Sequence, residues 1–138
     1  SSEDPASDAC GDVLESAAFR LLNEERARHG LGSVSCDLPA LEVARAHSRD
    51  MCERGYFSHT SLEGLSPWER LDTGGVRYSG AGENIAAGYD SAESVHDGWM
   101  SSSGHRENML EASWTRAAIG LFRCGGGYGI YWTEVLLD

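Results

Sequence analysis

The stretch "AAIGLFRCGGGYGIYWTEVLL", from Ala117 to Leu137, decides how the chain is built. Two apolar runs, "AAIGLFRC" and "GIYWTEVLL", flank Gly125-Gly126-Gly127, and runs of that length bounded by glycine turns read as a β-hairpin. The chain before them follows a helical period. From Asp12 to His29 apolar residues recur at Val13, Ala17, Leu21 and at Leu14, Ala18, Leu22. That spacing predicts one buried helical face, with Glu24, Glu25 and Arg28 left to solvent. Gly30 and Gly32 end this helix, and "SVSC" (33–36) reads as a short strand. Asp37 offers an N-cap ahead of Pro39, and Leu41, Ala44, Ser48 and Met51 mark a second helix to about Arg54. Gly55 breaks it. "YFSHTSLEGLSPWER" (56–70) reads as a loop with a helical turn after Ser66-Pro67, and residues 72–82 read as irregular, glycine-rich backbone. Ser91 caps a third helix carrying Val95 and Trp99, and a short one covers His105 to Leu110.

Helices first and most of the sheet last make an α+β arrangement, with helices layered on a small sheet. Residues 1–11 are expected to be a flexible polar lead-in, and 12–138 a single domain. Trp99, Val95, Leu21 and Ile119 are the expected buried anchors. No signal peptide is read in "SSEDPASDACGD", which looks like the start of a processed or trimmed chain.

The formal net charge of -11 argues against nucleic acid, which needs clustered Lys and Arg, and against adhesion to an anionic membrane surface. No apolar run approaches the ~20 residues of a membrane-spanning helix. The four cysteines, Cys10, Cys36, Cys52 and Cys124, contain no CxxC pair, so two disulfides and an exported protein are the expectation rather than a zinc ribbon. Of the three possible pairings, Cys10–Cys52 with Cys36–Cys124 is preferred, because Cys36 and Cys124 both fall at strand ends.

Five histidines divide into two groups. His29 closes the first helix, where a cation suits the helix dipole. His47 sits mid-helix beside Ala44 and Met51 as a satisfied, partly buried side chain, and His96 lies on the exposed half of the third helix. His59 and His105 instead lie in Ser- and Gly-flanked loops or helix starts, where sites are built on a rigid scaffold. With Glu83 they could hold a divalent ion such as Zn²⁺ through the two imidazoles, leaving positions open. A Ser102–His105–Glu83 relay has no GxSxG elbow behind it, and Ser101 to Ser103 read more simply as a helix end and a cap. Glu83 alone could act as a general base on water.

"LLNEERARHGL", "ALEVARAHSRDM", "YFSHTS", "AGENIAAG", "GWMSSSGHRENML", "AAIGLFRC" and "YWTEVL" occur here in order. In this the chain, over about residues 13 to 136, resembles the CAP superfamily of cysteine-rich secretory proteins, antigen 5 and pathogenesis-related 1 proteins, most closely its compact bacterial members. The resemblance implies an α-β-α sandwich, secretion or residence in the cell envelope, and an open cleft where His59 and His105 face an acid, Glu83. Many eukaryotic members add a second glutamate three residues past the helix tryptophan; counting from Trp99, this chain has Ser102. The expected function is binding of a divalent metal or small ligand in that cleft by a monomeric extracellular module. The alternatives are a hydrolase using Glu83 and the histidines, with or without a metal, and an interaction module with a vestigial cleft that meets an extracellular or cell-envelope partner.

Overall fold

A computed structural model describes residues 9–138. Of the expected flexible lead-in 1–11, residues 1–8 lie outside the described residues; Cys10 is fully buried. Among the described residues the order is α1 (Val13–Arg28), β1 (Ser35–Cys36), α2 (Leu38–Arg54), α3 (Pro67–Thr73), β2 (Ala81–Ala87), α4 (Ala92–Met100), α5 (Ser103–Met109), β3 (Arg116–Arg123) and β4 (Ile130–Leu137).

Local chemistry explains most of the boundaries. Asp12, Ser66 and Ser91 each cap a helix reciprocally with the residue three positions on, and Asp37 caps α2 immediately before Leu38-Pro39. Gly55 stops α2 in the left-handed conformation (φ 71°) that glycine adopts without a Cβ penalty. The hairpin forms as expected, β3 against β4.

The sheet runs β1-β3-β4-β2, antiparallel except for β1, which lies parallel to β3. α2 covers one face so closely that a Cβ on Gly120 would come within 2.5 Å of the Arg45 backbone nitrogen. Ser48 on α2 completes that contact, 2.9 Å from the Gly120 carbonyl and 2.8 Å from Thr133 Oγ1. α1 and α4 pack together on the opposite side, so the molecule is the α-β-α sandwich the resemblance implies.

Four expectations change. α1 buries Glu15, Ala18, Phe19, Leu22 and Arg26, while Val13 is 85% exposed and Leu21 only partly covered. An apolar count misplaces the stripe because two of its members are charged. Burial pushes the Glu15 carboxyl up, but Arg45 and the backbone N–H groups of Asp12 and Leu121 outweigh it and hold it below the usual range. Arg26 donates to the carbonyls of Gly32, Met109 and Glu111. His96 is buried rather than solvated, its Nε2 2.9 Å from Glu25 Oε1, because α1 lies across that side of α4 and carries the acid there. Residues 81–87, whose first two were read as irregular backbone, form strand β2.

The fourth correction is the disulfide pairing, which is Cys10–Cys36 and Cys52–Cys124. Cys36 sits in register with Ala117 at the start of β3, whereas Cys124 follows its end. The seven residues between them span ~23 Å of extended chain, far beyond the reach of one bridge. Cys52, in the last turn of α2, lies over the far end of β3, its Cα 6.0 Å from that of Cys124.

Candidate functional site

β2 is an edge strand, and successive residues of a strand point to opposite faces. Glu83 and Asn84 therefore reach into different layers from one place in the chain. On the α2 side, Glu83 accepts from His59 Nδ1 at 2.8 Å and from Arg70 Nη2 at 3.0 and 2.9 Å to its two oxygens. Arg70, from α3, also donates to the His59 carbonyl at 2.8 Å. On the other side, Asn84 Nδ2 donates to the His105 carbonyl at 3.0 Å and to Glu134 Oε1 at 2.9 Å, while its Oδ1 accepts from Asn108 at 2.9 Å. The 56–61 loop and α5 are thus fastened to the two sides of the same strand, and the cleft follows its free edge.

The expected residues fall as follows. His59 is half exposed in side chain, while Glu83 is almost fully enclosed. Hydrogen bonding of its Nδ1 to the carboxylate leaves His59 with Nε2 free. His105 is partly buried on α5, and its Nδ1 lies 2.9 Å from Ser102 Oγ. Ser102 occupies the N-cap position without making a side-chain cap, so its hydroxyl serves the histidine instead. Burial, and next the nearby His59, push the His105 pKa down, so both imidazoles belong to one electrostatic environment. Of the Ser102–His105–Glu83 set, the serine–histidine contact forms, but Glu83 engages His59 and Arg70. To act on water, Glu83 would have to give up both partners. Its geometry suits it to orienting His59.

The donors that remain for an ion are two imidazole nitrogens. Among the described residues no group of three or more His, Cys, Asp or Glu side chains converges on a common point. Catalytic zinc centres use three protein ligands. This set therefore does not fit a resident catalytic metal; it fits at most a loosely held ion that keeps water in its other positions.

Beside His105 the cleft opens into a groove of about 360 Å³, lined by Phe57, Ile85, Tyr89, Trp99, Ser102 and His105. Phe57 and Tyr128 stand at its margin, 48% and 66% exposed. Trp99 is buried, its Nε1–H donating to the Ile85 carbonyl at 3.1 Å, so one wall of the groove is rigidly held.

Arg70, Asn84, Asn108 and Glu134 escape a sequence reading of this site. Asn84 and Asn108 do lie inside "GENIA" and "SGHRENML", next to residues that were singled out. For Arg70 and Glu134 only tertiary placement carries the signal.

The model of the cysteine-rich secretory protein (CAP) family matches residues 19–136, nearly the whole chain. The chain belongs to the CAP family. Among curated CAP relatives, the uncharacterized membrane protein YlbC of Bacillus subtilis (strain 168) is 40% identical over 109 residues, which is 79% of this chain and 32% of that protein. The uncharacterized protein YkwD of the same organism is 37% identical over 122 residues, 88% of this chain and 46% of that protein. The CAP chain thus spans less than half the length of either. Among solved structures, an extracellular protein containing an SCP domain from Bacillus anthracis str. Ames superposes with a TM-score of 0.84 at 33% identity, covering 91% of this chain and 40% of that one. An outer surface protein from Borrelia burgdorferi shares the fold, with a TM-score of 0.75 at 21% identity over 87% of this chain and 88% of that one. No helix among the described residues is long and apolar enough to cross a membrane.

Proposed function

We propose that this CAP domain works outside the cytoplasm as a small-ligand binder. In this reading the edge of β2 takes the polar part of an amphipathic molecule at His105 and His59, and the adjoining aromatic groove takes its apolar part. The carrying observation is the groove itself, whose volume falls in the ~300–1,000 Å³ range of ligand pockets and whose apolar walls end on one imidazole. Two disulfides support the location, because such bridges persist in oxidising compartments. So does the naming of a structural relative as extracellular.

The reading is tested with the fluorescent amphiphile 8-anilinonaphthalene-1-sulfonate. Phe57→Ala and His105→Ala should each weaken its binding roughly tenfold, the scale of one lost stacking or hydrogen-bond partner. Phe57 is exposed, so its loss leaves the core intact. Unchanged affinity in the double variant would reject the groove as the binding site.

A loosely held divalent ion is a second reading. It is favoured by the Glu83–His59 pair, since metal-binding histidines commonly donate their other N–H to a carboxylate.

A further inference from the structure

A second and larger cavity, about 590 Å³, lies between α2, α3 and the 61–65 loop. Its walls are largely apolar, with Pro39, Val43, Ala46 and Leu65 among them, and two polar side chains, His47 and Arg70, open onto it. Each of these two carries a buried atom that finds no hydrogen-bond partner among the described residues: His47 Nδ1 and Arg70 Nε. Leaving such groups unpaired in a protein interior is costly, so what they lack identifies what the cavity takes.

The missing partners differ in kind. His47 is 1% exposed, and its Nε2 lies 2.8 Å from the Ser58 carbonyl. A carbonyl only accepts, so Nε2 carries the hydrogen and Nδ1 of the neutral ring is left as an acceptor. Burial first, then the neighbouring Arg70 charge, lower the His47 pKa and keep the ring neutral. Arg70 Nε–H can only donate, and Nη2 of the same guanidinium is committed to Glu83 and the His59 carbonyl. One wall of an apolar cavity therefore presents one acceptor and one donor. A hydroxyl group satisfies both with a single oxygen. A carboxylate would accept from Arg70 but put negative charge against the His47 lone pair. Glu42, Asp50 and Glu63 also line the cavity, and the Arg70 charge is already paired with Glu83, so an anionic head group meets further repulsion.

We propose that this cavity is a second ligand site, for a small apolar alcohol whose hydroxyl donates to His47 Nδ1 and accepts from Arg70 Nε–H while its hydrocarbon part lies along Pro39, Val43, Ala46 and Leu65. The site is separate from the groove at His105, which shares none of its lining residues.

The experiment is a titration of protein with ¹⁵N-labelled histidine, using 1-octanol and octanoate in parallel. 1-Octanol should shift the His47 ring nitrogen signals saturably and leave those of His105 in place, and octanoate should bind at least tenfold more weakly. Ala46 is exposed on α2, so Ala46→Phe fills the cavity without disturbing the core and should remove the response. His47→Phe, provided it melts as a folded protein, should lose the preference for octanol over octanoate. The proposal is overturned by octanoate binding as tightly as octanol, or by an octanol response that survives Ala46→Phe. It is equally overturned by no His47 shift up to octanol saturation, which would mean that water alone pairs the two atoms.

Discussion

A single nitrogen of Arg70, Nη2, bridges both carboxylate oxygens of Glu83, at 3.0 and 2.9 Å, while His59 holds one of them from the other side. Both members of the ion pair are nearly enclosed, with side-chain exposures of 11% and 3%. The acid at the centre of the cleft is therefore compensated within the fold, and its influence passes through His59.

That enclosure makes the pair sensitive to losing one partner. Arg70→Leu should destabilise the protein by roughly 3–5 kcal/mol, because it leaves a buried carboxylate without its cation. Adding Glu83→Leu should restore much of the loss. Chemical denaturation of the single and double variants measures this, and a double variant as unstable as Arg70→Leu would show that packing rather than charge is at stake.

Zinc should bind weakly to the native cleft, with only two imidazole donors available. Ser102 touches His105, so Ser102→Glu places a third donor beside that ring and should tighten zinc roughly tenfold or more. His59→Ala with His105→Ala should abolish binding, whereas His29→Ala should not. Binding needs neutral imidazole, so affinity falls as acid protonates the rings; the lowered pKa of His105 delays that loss to lower pH. Calorimetry gives the comparison, and equal affinity in native protein and the double histidine variant would exclude an ion at this place.

Glu134 is fully buried in β4, and burial pushes its carboxyl up to about 7, with the Asn84 hydrogen bond opposing only in part. A raised folded-state pKa favours the protonated form, so its contribution is fully present below the unfolded value of 4.5 and is lost as pH rises through about 7. Melting temperature should decline over that window. Glu134→Gln, which cannot titrate, should flatten the decline, and an identical pH profile in the variant would show that Glu134 does not titrate there.

Peptide mapping without reduction should recover Cys10 linked to Cys36 and Cys52 linked to Cys124. Removing a bridge costs typically ~2–4 kcal/mol, more for a longer loop. Cys52→Ala with Cys124→Ala, which opens a separation of 72 residues, should thus lower the melting temperature more than Cys10→Ala with Cys36→Ala, which opens 26. The reverse order would place the Cys10 bridge in the stabilising core of the fold.

Much of this molecule is legible in one dimension. Asp37, Ser66 and Ser91 announce helix starts because an N-cap acts on backbone two or three residues away, and Gly125 to Gly127 mark the hairpin for the same local reason. Val95, Trp99 and Ile119 are buried as their apolar spacing predicts. The motifs around His59, Glu83 and His105 carry the family, and with it the sandwich. What the order of residues left undecided depends on partners distant in the chain. Glu15 and Arg26 lie inside because Arg45 and the carbonyls near residue 110 meet them there, and hydropathy periodicity counts such charged residues as outside. The same holds for His96 against Glu25 and for Arg70 against Glu83. The disulfide pairing follows from which end of β3 each cysteine reaches, a matter of sheet register that spacing along the chain does not encode. Burial of a polar group is a property of the pair, and pairs exist only once the chain has folded.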